Sequence, residues 1–359
     1  METAEYDLIV AGAGPAGSAC AITAARAGVR VLLLEKDRFP RHKVCGEFVS
    51  SESLDLLRGL LGKKTLSPHI LVRSARFFVD HKRLRLPVSP AAQCVPRYEL
   101  DAALFRAAQE AGATTREGTT IQEVRRAGGF AVVTAENSFS AKAVVNATGR
   151  WSKLRQFEVA GKERWLGLKA HFREPSPSPS VDLYFFPGGY CGVTPVDADT
   201  INACAMVRAD LARSLEEVFA QQPELRSRSR AWQPLFAAVT TSPLYFREPE
   251  TEAGGMMLAG DAAGFIDPFA GDGISLALQS GTLAAETIVP FLAGKYSWED
   301  ALHEYRSAYQ KRFAPAFRNA ARLRSALAAP KWLRNTALTL ANMPGIGKML
   351  VRGTRARGR

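Results

Sequence analysis

Cysteine is scarce and scattered in this chain. The five present, Cys20, Cys45, Cys94, Cys191 and Cys204, are odd in number and widely spaced, with no Cys-x-x-Cys pair. That argues against a disulfide framework and against a cysteine zinc site. Long apolar runs are lacking too: no stretch approaches the roughly 18–20 residues needed to span a bilayer. Met1–Tyr6 is short and acidic, unlike a secretory leader. A cytoplasmic protein is therefore expected. Acid is what the end of the chain lacks most. Ala301–Arg359 carries 13 Lys and Arg against one acid, Glu304. Subtracted from totals of 47 and 35, these leave 34 bases and 34 acids in the first 300 residues. The whole net charge of +12 thus belongs to the last 59 residues.

What is present is ordinary for a folded protein with a substantial core: 47% apolar and 23% charged residues over 359 positions, enough for two domains or one large one. The basic tail has two main readings, a solvated helical face or a contact with an anionic membrane surface, where each Lys or Arg gains roughly 1 kcal/mol. An acidic partner is a third. No nucleic-acid module is recognisable, so nucleic acid is not expected.

Asp7–Val10 reads as an apolar strand, Ala16–Ala27 as a helix and Val29–Leu34 as a second strand, together a parallel unit with a right-handed crossover. Ser50–Leu61 and Arg97–Gly112 have helical periodicity, and Val72–Val79 and Arg83–Val88 read as a hairpin turning at Asp80–Lys82. Short strands are expected over Thr119–Val145 and Trp165–Val207, and two helices over Leu211–Val239. Strand Met256–Ala259 then precedes helix Ile274–Leu292, and the remainder reads as helical and basic. A dinucleotide-type sheet would then be built from both ends of the chain around an inserted, mostly antiparallel middle.

Gly12-Ala13-Gly14-Pro15-Ala16-Gly17 follows the first strand and opens the first helix. The first glycine suits a tight turn, the second a close backbone approach to pyrophosphate, and the third close helix–strand packing. The helix N-terminus adds free N–H groups and a positive dipole end. Glu35, with Lys36 beside it, ends the second strand about 20 residues on, where a carboxylate accepts ribose hydroxyls. The loop alone does not separate FAD from NAD.

A second segment, Gly260-Asp261-Ala262-Ala263-Gly264 through Gly271-Asp272-Gly273-Ile274, follows a strand and opens a helix. Here the sequence resembles the FAD-dependent oxidoreductases of the para-hydroxybenzoate hydroxylase-like superfamily, and within it most closely the geranylgeranyl reductase family. The resemblance runs from about Asp7 to Leu292 and is carried also by Phe39-Pro40-Arg41-His42-Lys43-Val44-Cys45-Gly46-Glu47, with its Lys-x-Cys-Gly, and by Val95-Pro96-Arg97-Tyr98-Glu99-Leu100-Asp101. It implies FAD as cofactor, with Asp261 on the ribityl chain and the N–H groups after Gly271-Asp272-Gly273 at the flavin N1–C2=O edge. It places Lys43, Cys45 and Gly46 on a loop passing the flavin, Arg97 at the pyrophosphate or ribityl chain, and the Val124 backbone at adenine. Thr148, before Gly149, stands where superfamily hydroxylases carry an aspartate serving FAD and NAD(P)H. The electron donor is accordingly left as NAD(P)H or a protein reductant. The Trp-x-Trp-x-Ile-Pro element of flavin halogenases is absent.

The implied fold class is α/β: an FAD-binding Rossmann-like domain (1–70, 95–160 and 250–295), an inserted mostly antiparallel substrate domain (71–94 and 161–249), and a basic helical C-terminal segment (296–359). Cys45 is the candidate catalytic residue, a proton donor beside the flavin; the alternative is a small buried hydrophobe. His42, Lys43 and Glu47 read as solvated loop charges, and His171 as a satisfied core histidine. Tyr184, Phe185, Phe186, Tyr190 and Trp165 stand equally as cavity lining or as plain sheet core. The expected activity is reduction of C=C bonds in a hydrophobic, isoprenoid-type substrate. The alternatives are a flavin monooxygenase acting on an aromatic or polyketide compound and a non-catalytic flavoprotein docking at membranes. The expected partners are a hydrophobic small molecule and, through the tail, a membrane surface.

Overall fold

The computed structural model describes residues 3–62, 66, 70–80, 82–150, 154, 164–244, 246 and 248–328. Strand β1 (Thr3–Ala11) leads through the glycine turn into helix α1 (Pro15–Arg26), and β2 (Val31–Leu34) returns parallel to β1 with Ala11 opposite Leu34. Pro15 suits the first helical position, where its missing N–H costs nothing and its fixed φ is already helical. Next come β3 (Phe48–Val49) and α2 (Ser51–Leu61), whose Leu54, Leu57, Leu60 and Leu61 recur at helical spacing and are all buried. The hairpin β4 (Leu71–Val79)–β5 (Lys82–Cys94) precedes α3 (Arg97–Glu110), β6 (Thr114–Arg116) and the meander β7 (Ile121–Arg126), β8 (Phe130–Thr134), β9 (Ser138–Asn146).

The middle of the chain supplies β10 (Trp165–Arg173), β11 (Ser180–Phe186), β12 (Gly189–Pro195) and β13 (Thr200–Arg208). The helices expected over Leu211–Val239 are two single-turn pieces, α4 (Leu215–Ala220) and α5 (Pro223–Arg228). Strands β14 (Gln233–Pro234) and β15 (Val239–Leu244) replace helix at the end of that span, because both pair with β10. Then β16 (Glu252–Ala253), β17 (Met256–Leu258), α6 (Gly273–Leu292) and α7 (Trp298–Ala328) complete the described chain.

Two sheets result. The first has the order β16-β17-β9-β1-β2-β6, with β7 and β8 attached, and its central strands are parallel. The second runs β14-β10-β13-β12-β11-β4-β5-β3 with β15 on β10, and is antiparallel except where β11 meets β4. The molecule is thus α/β, a Rossmann-like parallel sheet with an inserted mostly antiparallel sheet and a helical C-terminal segment. The central parallel strands are buried along both faces, Leu8–Ala11 and Val31–Leu34 alike, which is why they read as unbroken apolar runs. Along α7, Tyr305, Tyr309, Phe313, Ala316 and Ala320 form one buried stripe, and Tyr305 Oη donates to Leu258 O (2.7 Å). Part of the basic surplus is consequently structural: Arg306 pairs with Glu252 (3.0 Å) and Arg324 with Asp267 (3.4 Å). The remainder of the tail, including 330–334 and 348–359, lies outside the described residues.

Candidate functional site

The glycine loop is shaped by contacts that no side chain would allow. Gly12 has φ +95°, and a Cβ there would stand 2.6 Å from Ala147 O; at Gly17 a Cβ would stand 1.8 Å from Gly12 O. The strand, turn and helix therefore pack backbone to backbone, leaving Gly12, Gly14, Pro15 and Ala16 on the wall of a large cavity. Ala13 and Gly17 do not face it; they hold the turn, and Ala13 N donates to Glu35 Oε2 (2.8 Å).

Glu35 and Lys36 reach the same cavity. Asp37 N donates to Glu35 Oε1 (3.0 Å), and Arg41 bridges Glu35 Oε2 (3.2 Å) and Asp101 Oδ2 (2.8 Å). Arg97 also grips Asp101 through Nε (2.6 Å) and Nη2 (2.7 Å), while its guanidinium lines the cavity near Gly14. Lys43 is tied to Asp37 (2.7 Å). Two arginines thus share one wholly buried carboxylate; Arg41 is engaged on all three nitrogens by Glu35, Asp37 and Asp101, while Arg97 stands beside Gly14, where a pyrophosphate would lie. Sequence reasoning gave Arg41 and Asp101 no role, although both lie in the two stretches that carry the resemblance.

From the far end of the chain, Gly260, Asp261, Gly271, Gly273 and Ile274 line the cavity, with the N-terminus of α6 aimed into it. Asp272 is buried behind this wall, where its Oδ1 accepts Ser50 Oγ (3.2 Å). Thr148 and Gly149 also face the cavity, and Thr148 Oγ1 donates to Asn146 Oδ1 (2.6 Å). Val124 does not: it lies on β7 away from the cavity, which Thr119, Thr120 and Ile121 line instead. These residues fit a flavin dinucleotide. The backbone cradle, the arginine pair and two helix N-termini converge on a single cavity of about 830 Å³.

The loop Cys45–Glu47 joins the two sheets. Asn202 Nδ2 donates to Cys45 O (3.0 Å), and Thr194 Oγ1 donates to Gly46 O (3.2 Å). Glu47, expected to be a solvated loop charge, is instead wholly buried with φ +58°. Its Oε1 pairs with Lys169 and accepts Arg97 N (2.8 Å), and its Oε2 meets His171 Nε2 (2.8 Å). Burial opposes its ionisation, but the His171 hydrogen bond and the Lys169 charge prevail and hold its carboxyl below the usual range. Glu47 N in turn donates to Cys45 Sγ (3.3 Å). Burial pushes the Cys45 thiol up despite nearby Arg97, so at neutral pH it holds its proton at the cavity wall. His171 is the satisfied histidine expected, and its partner is Glu47.

Beyond the cofactor loops the cavity continues against the second sheet, where Phe77, Leu86, Leu183, Phe185, Tyr190 and Met206 line it. Strand alternation sorts the other aromatic candidates. Tyr184 faces the opposite side and accepts a hydrogen bond from Arg228 (3.0 Å); Phe186 packs beside it, and Trp165 is off the cavity wall.

A flavoprotein built on two sheets is the class this architecture defines. Residues 5–320 match the FAD binding domain family, and the chain belongs to it. It is 24% identical to a 1H-pyrrole-2-carbonyl-[peptidyl-carrier protein] brominase of Pseudoalteromonas luteoviolacea, over 85% of this chain and 82% of that one. It is 27% identical to a digeranylgeranylglycerophospholipid reductase of Methanocaldococcus jannaschii, over 86% and 83%. The fold matches a geranylgeranyl bacteriochlorophyll reductase-like protein of Thermoplasma acidophilum with TM-score 0.80 and 21% identity, over 98% of this chain and 96% of that one. The protein is an FAD-dependent enzyme of a superfamily that contains both reductases and halogenases. Among the described residues no helix is long and apolar enough to cross a membrane, and no cluster of potential metal ligands is found.

Proposed function

We propose that this protein reduces carbon–carbon double bonds in a hydrophobic, isoprenoid-type substrate. The observation that carries this reading is the position of Cys45 on the wall of a single cavity lined by both the cofactor cradle and an apolar compartment, with its thiol pKa pushed up by burial. FAD, when bound and reduced, supplies the hydride, and an external donor must restore its two electrons. The chain's own part is to bind the alkene against Phe77, Leu183 and Phe185, to exclude water, and to deliver the Cys45 proton to the carbon that does not take the hydride. Glu47 N, Asn202 and Thr194 hold the thiol loop in place. The reductase relative supports the reading; the second reading is a flavin monooxygenase acting on an aromatic or polyketide substrate, and a relative that is a brominase favours it over reduction.

The test is to incubate the dithionite-reduced holoenzyme anaerobically with geranylgeraniol and with geranylgeranoic acid. Products heavier by two hydrogens are expected. Cys45→Ala should keep its FAD and lose about 10²–10⁴-fold in rate, the usual share of a general acid. Products that gain oxygen in air, with none reduced anaerobically, would replace this reading by the second.

A further inference from the structure

Among the described residues, one buried cation on the cavity wall has no carboxylate within hydrogen-bond reach. Arg41, Lys43 and Arg97 are each bound to a carboxylate at 2.6–2.8 Å, and Lys36 is exposed. Arg150 differs. Its side chain is 18% exposed and lies over the Phe265 ring, 4.1 Å from the centroid. The carboxylate closest to pairing with it, Asp261, stands 3.8 Å away, beyond hydrogen-bond reach. A guanidinium removed from water without a hydrogen-bonded anion is costly.

A second polar group in the same compartment lacks a partner. Tyr190 Oη is buried on the cavity wall and meets no hydrogen-bond partner of good geometry among the described residues, the Phe269 backbone being the one main-chain group that acts on it. Tyr190 and Phe265 belong to one ring cluster with Leu183 and Met206. Asp267, whose field reaches Tyr190, is itself paired with Arg324.

We infer that Arg150 and Tyr190 form the anchor for a carboxylate on an otherwise apolar substrate. The guanidinium fork matches a carboxylate's two oxygens, and the phenol donates to one of them. One positive charge calls for a monoanion. A phosphate ester near neutral pH carries close to two negative charges, and the buried cavity cations other than Arg150, namely Arg41 and Arg97, are already paired with Glu35 and Asp101. The apolar body of the substrate would lie along Leu183, Phe185 and Met206. This inference rests on taking the compartment as the substrate site.

Equilibrium dialysis of the FAD-loaded enzyme against decanoate, decanol and decyl phosphate tests it. Decanoate is expected to bind at least about tenfold tighter than decanol and no more weakly than decyl phosphate. Arg150→Met should lower decanoate affinity to the level of decanol, with decanol binding and FAD content unchanged. Arg150→Lys should fall between, and Tyr190→Phe should lose about three- to tenfold for decanoate alone. Equal binding of decanoate and decanol, no decanoate binding, tighter binding of decyl phosphate, or an Arg150→Met enzyme that sheds FAD while binding decanoate normally would overturn the inference. Decanoate bound as expected by an enzyme that reduces no alkene leaves this anchor standing and removes the reaction proposed above.

Discussion

Glu47 and Lys169 form an ion pair in which neither side chain is exposed at all. They come from a loop beside the cofactor cradle and from a strand of the second sheet, 122 residues apart. The pair thus rivets the loop before β3 to β10, and His171 and the Arg97 N–H at the start of α3 complete it.

Glu47→Gln removes the anion and leaves Lys169 buried beside a neutral amide. A loss of about 3–5 kcal/mol is expected, and Glu47→Gln combined with Lys169→Met should recover part of it. The group has a depressed pKa, so its stabilisation is present above its ordinary value of 4.5 and fades as pH falls through its lower folded value. Unfolding midpoints of wild type and Glu47→Gln, measured from pH 7 to pH 3, should converge below about pH 4.5.

Gly17→Ala places a methyl group 1.8 Å from Gly12 O. The helix must move away from the turn, which costs about 1–3 kcal/mol as overpacking and spoils the cradle. The purified variant is expected to show a sharply lower ratio of flavin to protein absorbance. A wild-type ratio would show that the close approach is dispensable.

Asp267 titrates at about 7, raised chiefly by burial and only partly countered by Arg324. A raised carboxyl pKa means the native state holds the proton more tightly than the unfolded chain, so stability falls as pH rises from about 4 to 7. Asp267→Asn should be close to neutral at pH 4 and stabilising by a few kcal/mol at pH 8. Chemical denaturation at the two pH values separates this from a mutation that simply loses the Arg324 contact, which would destabilise at pH 8.

Deletion of residues 348–359 should weaken binding to vesicles containing anionic phosphatidylglycerol while leaving FAD content unchanged. Each basic residue removed is expected to cost roughly 1 kcal/mol of surface attraction at low salt. Co-sedimentation at 50 mM and 500 mM salt gives the measurement. A full-length protein that ignores the vesicles would return these charges to the role of a solvated face.

Local backbone needs are written in short stretches of sequence, and those were legible. Gly12, Gly14 and Gly17, the acid at Glu35, and the Gly260–Ile274 segment announce a strand, a tight turn and a helix N-terminus, because no other residue types satisfy that geometry. The parallel sheet and its cofactor wall follow from them. Other features depend on which strands the fold brings together. Glu47 looked like a solvated charge because its partners on β10 are more than 120 residues away. Asp101, the shared partner of Arg41 and Arg97, sits inside a helix whose pattern shows only amphipathicity. Strand alternation turned Phe185 and Tyr190 to the cavity and Tyr184 to the core, a choice set by register against β4 and β13. Charge at the chain's end was plain in the sequence, yet only packing showed Arg306 and Arg324 tied to acids of the body. The sequence alone determined where a dinucleotide's phosphates can lie, since that is a property of contiguous backbone. Tertiary structure decided which charges are buried, paired or left for a ligand, since desolvation depends on everything packed around a group.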